Sequence, residues 1–105
     1  MGKNKDHSPE KIFELLEILS KKWMLLLLHE FITSNRLRFN ELKERLSGIT
    51  SRMLSQRLTE LEELEFIKRE IVLHKPVQIA YNATKKTQDL LPLFQALVDW
   101  SEEWT

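Results

Sequence analysis

The sequence has no cysteine at all, and only two glycines and three prolines among its 105 residues. Without cysteine, the chain cannot form disulfides, thiolate metal sites or thiol-based redox sensors. Two glycines are too few for a glycine-rich phosphate-binding loop. The length suits one domain, which can bury roughly 60–70% of the surface of the unfolded chain without covalent staples.

Long apolar segments are also missing. The longest apolar run, residues 23–28, has six residues, whereas a membrane span needs roughly 20. The first seven residues, MGKNKDH, are polar and charged, unlike a signal peptide. We therefore expect a cytoplasmic protein without a membrane partner, in which residues 1–7 form a flexible N-terminal arm and residues 8–105 form a single domain.

Net charge is zero, with 16 basic and 16 acidic residues, which by itself counts against a nucleic-acid partner. The charge is unevenly distributed, however. Residues 36–57 hold six basic and two acidic residues, a net of +4, and residues 58–70 hold two basic and five acidic residues, a net of −3. Positive charge is therefore concentrated in one segment, where it can attract a polyanion.

Apolar residues at helical spacing predict two helices in the first third of the chain. The first begins after Ser8, with Pro9 in its first turn, and Ser20 is expected to cap the second. The second helix covers residues 23–32, and its apolar residues occupy nearly every face up to His29. This pattern predicts the most buried helix of the fold.

Residues 36–46 are predicted to form a short extended piece followed by a short helix. Asn40 is a good N-cap for residues 41–46, and Gly48 can take the left-handed conformation that ends a helix. Thr50 or Ser51 then caps the next helix, which runs to about residue 65. Two short helices joined by a tight glycine turn are typical of a helix-turn-helix.

A β-hairpin is predicted directly after this unit, since β-branched and aromatic residues flank a turn at residues 74–76. A long closing helix follows, kinked by Pro92. The hairpin strands and the closing helix are residues 66–73, 77–81 and 85–103. The fold class is therefore mainly α with a small β-hairpin wing, a winged helix-turn-helix.

The helix that begins at Ser51 has two contrasting faces. At 100° per residue, Leu54, Leu58 and Leu61 fall within roughly 60° of one another. Short polar and cationic side chains lie on the opposite side, where arginine can bond guanine, glutamine can bond adenine, and hydroxyls can bond bases or phosphates. The predicted DNA-binding residues, with flanking contacts from the preceding segment and the hairpin tip, are Arg38, Asn40, Thr50, Ser51, Arg52, Ser55, Gln56, Arg57, Thr59, His74 and Lys75.

Three motifs together resemble the HxlR-type winged helix-turn-helix regulators, within the MarR-like superfamily. They are Lys22-Trp23 followed by aliphatic residues, the segment RFNEL at residues 38–42, and GITSRMLSQRL at residues 48–58. The resemblance implies a prokaryotic homodimeric regulator of transcription that binds operator DNA through the helix from Ser51 and the wing. It also implies dimerisation through the first and last helices.

The sequence departs from this family in two informative places. Family members often carry a cysteine near the start of the first helix, and this chain has none, so sensing through that thiol is excluded. A glycine is usual before the hairpin, where this chain has Glu65. Neither change falls on the face predicted to bind DNA.

The closing helix carries more apolar residues than one buried face needs. We expect the excess to form a two-fold interface with the first helix, although the first two helices of the same subunit are an alternative cover. The predicted interface residues are Phe13, Leu16, Trp23, Leu91, Phe94, Val98, Trp100 and Trp104.

The sequence gives little indication of a metal site, a cofactor site or a catalytic site. The three histidines are scattered, so no metal and no cofactor are expected, and nothing indicates an enzyme. A small-molecule effector of unknown identity stays open, in a pocket between the dimer helices and the DNA-binding unit that Trp23 and Trp100 could line. The alternative to DNA binding is a winged-helix module that binds other proteins, since the fold alone does not decide function.

Overall fold

The computed structural model describes residues 9–105, so the predicted arm at residues 1–7 and the cap at Ser8 lie outside it. Six helices and three strands are present in this part of the chain. Their bounds are α1 Pro9–Leu19, α2 Met24–Ser34, β1 Arg36–Arg38, α3 Phe39–Arg45, α4 Ser51–Glu63, β2 Ile67–His74, β3 Val77–Ala83, α5 Lys85–Gln88 and α6 Leu91–Trp104. The predicted winged helix-turn-helix is confirmed, whereas the single-domain assignment stays a prediction.

The sheet has three strands rather than the two of the predicted hairpin. Its order is β1-β3-β2, and both pairings are antiparallel. Leu37 of β1 lies opposite Tyr81 of β3, so the short extended piece before α3 closes the edge of the sheet. Because β1 directly precedes α3, this pairing attaches the helix-turn-helix to the wing, which is defined here as β2, β3 and the turn between them.

The core lies where α2, α3, α4 and the base of the sheet meet. Its largest fully buried side chains come mainly from α2 and α4, and they are Phe31, Met24, Leu27, Leu28, Leu37, Leu42, Leu54, Leu58, Leu61, Ile67 and Thr87. Leu25 and Leu26 of α2 are 40% and 53% exposed. The second helix is therefore central, as predicted, but it is not buried on every side.

The junction between α1 and α2 differs from the prediction. Ser20 does not cap α2, because its hydroxyl donates to the carbonyl of Glu17 at 3.0 Å, at the end of α1. Trp23 occupies the N-cap position in the left-handed conformation, with φ 77°, and it provides no side-chain cap. The connection between the two helices is thus a strained turn and not a serine cap.

Two other predicted boundaries also move. Asn40 is the second residue of α3 and not its N-cap; Arg38 takes that position, and its backbone N–H donates to the Glu41 carboxylate at 2.7 Å. The closing helix is broken into α5 and α6, with Pro92 in the first turn of α6. Proline lacks the N–H that a continuous helix would need at this point, so the chain restarts a helix instead of kinking one.

Glu65 shows why a glycine is usual before the hairpin. Its φ is 66°, in the left-handed region that L side chains other than Asn and Asp rarely adopt. The turn is held from outside by Thr84, whose hydroxyl donates to the Glu65 carbonyl at 2.7 Å. The surrounding contacts therefore impose a conformation that the glutamate side chain itself disfavours.

Candidate nucleic-acid interface

The helix α4 is set in place by a sharp turn and a side-chain cap. Gly48 has φ 94°, and a Cβ placed there would meet no atom within 4 Å, so the backbone angle rather than crowding requires glycine. Thr50 is the N-cap, and its hydroxyl accepts from the backbone N–H of Met53 at 3.0 Å. The glycine turn and the threonine cap thus define where α4 begins.

The predicted division of α4 into two faces is confirmed. Leu54, Leu58 and Leu61 are at most 2% exposed and join the core. The polar residues on the other side are all exposed, and they are Ser51, Arg52, Ser55, Gln56 and Thr59. The core therefore fixes α4 through its leucines while its hydroxyl, amide and guanidinium groups face solvent together.

Arg57 does not belong to this exposed face, and its assignment to the DNA contacts is corrected. The residue is only 9% exposed. Its Nε donates to the carbonyl of Lys22 at 2.8 Å, and one terminal nitrogen donates to the Glu60 carboxylate at 3.0 Å. At roughly 140° from Arg52 on the helical wheel, Arg57 lies closer to the leucine stripe than to the polar face, which was the available signal.

Arg38 and Asn40 flank α4 from the preceding elements, and both are exposed. Arg38 is tied to the wing, because its guanidinium donates to the Gln78 side chain at 2.9 Å. Its remaining guanidinium nitrogens are still available for a phosphate. Arg38 therefore combines a positioned backbone with an exposed positive charge.

Other cations of the basic segment are engaged within the subunit. Arg36 lies 3.4 Å from Glu70, Arg45 lies 3.2 Å from Glu30, and Lys43 donates to the carbonyl of Ile49 at 3.3 Å. The side chain of Arg52, by contrast, makes no hydrogen bond or ion pair with any residue from 9 to 105. Binding of a ligand by Arg52 would therefore break no contact with these residues.

The wing carries His74 and Lys75 at its tip, between β2 and β3, and both are exposed. The strand pairing shifts register between Ile71 and Leu73, and such an irregularity increases local twist. Tyr81 lies in the middle of β3, where burial raises the pKa of its phenol above the usual value. The phenol of Tyr81 therefore stays neutral at neutral pH.

The helices α1 and α6 are unlike the rest of the fold, because neither has a single buried residue. Of the predicted interface residues, Trp23 and Phe94 are half-buried and the other six are exposed, from 44% for Leu91 to 69% for Trp104. The Cα radius of gyration is 15.4 Å, compared with about 13 Å for a compact chain of this length. The first two helices therefore do not cover the apolar surface of α6.

A groove of about 750 Å³ lies between α2 and α6. It is mainly apolar, and the ring of His29 contacts the ring of Phe94 with 5.8 Å between centroids. The groove lies beside a helix of the predicted dimer interface, but neither Trp23 nor Trp100 lines it, so these two expected lining residues are corrected. The lining residues are His29, Ile32, Thr33, Leu91, Phe94, Gln95, Leu97, Val98, Asp99 and Ser101.

Comparison with known proteins agrees with this architecture. The family described as HxlR-like helix-turn-helix matches residues 18–105. YvaP, an uncharacterised HTH-type transcriptional regulator of Bacillus subtilis, is 35% identical over 89 residues, which cover 85% of this chain and 82% of that protein. YodB, an HTH-type transcriptional regulator of the same organism, is 31% identical over 94 residues, covering 90% and 83%.

Solved structures show the same similarity. The reduced form of YodB from B. subtilis has a TM-score of 0.79 at 31% identity, covering 93% of this chain and 94% of that one. Quinone-bound YodB has a TM-score of 0.77 at 29% identity, covering 91% and 98%. A MarR-family regulator from Enterococcus faecalis V583 has a TM-score of 0.81 at 28% identity, covering 98% and 94%.

The matched residues 18–105 include the whole winged helix-turn-helix. Within residues 9–105, no helix is long and apolar enough to cross a membrane. The family model extends over the two short helices, the wing and the closing helix. The chain therefore belongs to the HxlR family of helix-turn-helix transcriptional regulators, and it is a DNA-binding regulator and not an enzyme.

Proposed function

We propose that the protein binds operator DNA as a homodimer, with α4 in the major groove and the tip of the wing at the flank. The observation that carries this proposal is the exposed face of α4, where Arg52, Ser55, Gln56 and Thr59 stand opposite a fully buried leucine stripe. A helix fixed by its core side can present the other side without rearrangement. We refer to α4 below as the recognition helix.

The residues of this face suit base recognition. Arg52 has no partner among residues 9–105, so binding guanine would not break an existing ion pair. Gln56 is one helical turn further on and can bond adenine through both atoms of its amide. Ser51, Ser55 and Thr59 are small, which allows the helix to approach the base edges closely.

The N-terminus of the recognition helix adds a further attraction for phosphate, because its unpaired N–H groups and helix dipole are positive. Thr50 uses its oxygen to accept from Met53, which leaves its hydroxyl hydrogen for a phosphate oxygen. Arg38 and Asn40 are exposed beside it. We assign these three residues to the DNA backbone, whose contacts position a protein without reading sequence.

The acidic residues of the recognition helix do not oppose this orientation. Glu60 pairs with Arg57, and Glu62 lies 3.5 Å from Arg69. Both acids belong to the C-terminal half of the helix, away from Arg52. The zero net charge of the chain therefore hides a positive N-terminal end of α4 and an acidic C-terminal end, where Glu63 is also exposed.

His74 and Lys75 are assigned to the DNA flank. They are exposed at the turn of the wing, and an extended hairpin can reach the backbone or the minor groove beside the major groove that α4 occupies. A flexible lysine serves as a mobile charge for phosphate and not as a bidentate reader of bases. We expect these contacts to add affinity without sequence preference.

The homodimer is supported by the apolar surface of α1 and α6. Exposed side chains on these helices include Phe13 and Leu16 of α1, and Val98, Trp100 and Trp104 of α6, each more than half exposed. Exposed apolar surface of this extent is unfavourable in water. A second copy presents the same surface, so a two-fold contact buries both. Two recognition helices about 34 Å apart then read an inverted repeat.

The proposal extends to the cytoplasm as the place of action, since operator DNA is there in a prokaryote. It also includes a small-molecule effector of unknown identity, supported by the existence of quinone-bound YodB and by the apolar groove between α2 and α6. Because this chain has no cysteine, it cannot hold an effector through a thiol.

A binding titration with increasing salt tests the proposal. The protein is first used to select fragments from genomic DNA, and the enriched duplex is compared with a scrambled duplex of equal length. We expect tighter binding to the selected duplex, and affinity for both to fall steeply with salt as counterions are released. Absence of binding to either duplex at low salt would favour the alternative, a winged-helix module that binds protein.

A further inference from the structure

The connection between α1 and α2, residues 20–23, is held from the side by the recognition helix. Arg57 donates from Nε to the Lys22 carbonyl at 2.8 Å and from a terminal nitrogen to Glu60 at 3.0 Å. The second oxygen of Glu60 lies 3.5 Å from the Lys21 ammonium. Two neighbouring side chains on α4 thus hold two consecutive residues of the connection.

This connection needs to be held. Trp23 follows Lys22 directly and has φ 77° and ψ −12°, a left-handed conformation that a tryptophan rarely adopts. The bond from Arg57 fixes the carbonyl of the residue just before it. The contact therefore acts where the chain changes direction between the two helices. Without it, Trp23 could relax to a less strained backbone conformation and change that direction.

The direction of α1 depends on this connection because the helix has few other anchors. None of its residues is buried, and only Ile18 and Leu19, at its C-terminal end, pack partly against the core. Phe13 and Leu16, further along the helix, are 64% and 55% exposed. A helix whose core contacts lie at one end transmits a change in its hinge along its length.

Arg57 differs in its surroundings from the other arginine paired with an acid of α4. Arg57 is 9% exposed, whereas the side chains of Arg69 and Glu62 are 56% and 39% exposed. Exposed pairs contribute little because water screens them. Removal of Arg57 instead takes away the side-chain donor to the Lys22 carbonyl and leaves the Glu60 carboxylate with Lys21 alone.

We infer that Arg57 is a positioning residue, which fixes the angle between α1 and the recognition helix and thereby the separation of the two recognition helices in the dimer. The part concerning separation rests on the proposed function, since α1 belongs to the proposed dimer interface. The part concerning the angle does not, because the contacts lie within one subunit. The same helix therefore carries the DNA-facing side chains on one side and the hinge contact on another.

The angle is tested without DNA. The chain has no cysteine, so the double variant Glu14→Cys/Glu63→Cys places one spin label on α1 and one on α4, both at exposed positions. Labelled protein is diluted into excess unlabelled protein, so that each dimer carries one labelled subunit. Pulsed electron spin resonance then measures the distance distribution within that subunit.

We expect one narrow distance in this background, and a broadened or shifted distribution when Arg57→Gln is added. Arg69→Gln is the matched control, since it removes the same charge from an exposed pair and should leave the distribution unchanged. Arg57→Lys keeps the charge but cannot reach both the Lys22 carbonyl and the Glu60 carboxylate, so it should also broaden the distribution. If Arg57→Gln does not fold, the lysine variant provides the test. Unchanged distributions in the folded variants would overturn the inference.

The consequence for DNA is tested with duplexes that carry two inverted copies of the selected half-site, separated by spacers that grow in single base pairs. Wild type should prefer one spacing, and Arg57→Gln should flatten or shift that preference while keeping the base preference within each half-site. A variant with the wild-type spacing profile would overturn this part and leave the proposed function intact. Wild-type protein that binds no duplex would instead overturn the proposed function, while the spin-label result would still decide the angle.

Discussion

The recognition helix α4 and the closing helix α6 are both amphipathic, yet they end up in opposite situations. The apolar face of α4 is sealed within the subunit, with Leu54, Leu58 and Leu61 at most 2% exposed. The helix α6 has no buried residue, and Trp100 and Trp104 are 64% and 69% exposed. The difference teaches that an apolar stripe predicts a covered surface without saying which chain provides the cover.

The polar faces of the two helices differ as well. On α4, the outward residues include an arginine without a partner and a row of short hydroxyls, which suits a ligand with many acceptors. On α6, the outward acids Glu102 and Glu103 would repel the DNA backbone. One helix is thus equipped for a polyanion and the other for an apolar partner, and each can be perturbed separately.

The largest effect on stability is expected for α4, whose apolar face is covered by the same subunit. Leu58→Ala leaves a cavity under α4 and should lower the free energy of unfolding by about 2–5 kcal/mol, whereas Leu97→Ala, at a position 50% exposed, should cost at most about 0.5 kcal/mol in the isolated subunit. Urea denaturation over a range of protein concentrations measures both. The Leu97 effect should grow with concentration as dimers form, and equal losses at high dilution would contradict the comparison.

A charge placed on α6 should separate the copies. Val98→Glu buries a carboxylate in the proposed interface, and we expect dimer dissociation to rise by about 100-fold, equivalent to about 2.7 kcal/mol. Sedimentation over a concentration series measures the change. Ser55→Glu on α4 is the matched control, which should keep the dimer and lose DNA binding through repulsion of phosphate. A Val98→Glu protein with wild-type dimerisation would remove α6 from the interface.

Substitutions on the outward face of α4 should change specificity. Arg52→Ala and Gln56→Ala should each cost about 1–3 kcal/mol of operator binding and relax the preference at one base pair. Competition assays with operators that carry single base changes measure this effect, with Arg69→Ala as the control for loss of one positive charge. If both substitutions leave the base preference as it is, this face does not read the operator.

The smallest effect is expected at the tip of the wing. Lys75→Ala should weaken binding to all duplexes alike and reduce the slope of affinity against salt by about one unit, because one phosphate contact is lost. Titrations at several salt concentrations measure the slope. Lys85→Ala, which removes an exposed lysine of α5 that pairs with Asp89 at 2.9 Å, serves as the control and should leave the slope unchanged.

Much of the fold followed from patterns of neighbouring residues. The helical spacing of leucines predicted α4, the Thr50 cap and the Gly48 turn predicted its start, and the β-branched runs predicted the wing. Two of the errors came where a residue had two suitable local roles. Ser20 and Asn40 are both good N-caps, but Ser20 bonds backward to Glu17 and Asn40 lies inside α3.

The candidate site followed from sequence in part. The outward placement of Arg52, Ser55, Gln56 and Thr59 was predictable because it depends only on the repeat of the helix. The helical wheel also placed Arg57 near the leucine stripe, but it could not identify the partner of Arg57, which is the backbone of Lys22, 35 positions earlier. A main-chain carbonyl has no signature in the sequence, and only the packing of α4 against the junction of α1 and α2 brings the two together.

The sequence by itself therefore determined the local elements, the two faces of the recognition helix and the exclusion of thiol chemistry, because each depends on residue type and on short, regular spacing. The tertiary structure decided that β1 closes the sheet, that α1 and α6 stay uncovered within the subunit, and that Arg57 is buried against Lys22 and Glu60. These outcomes depend on contacts between distant segments, whose geometry is set only when the core has formed.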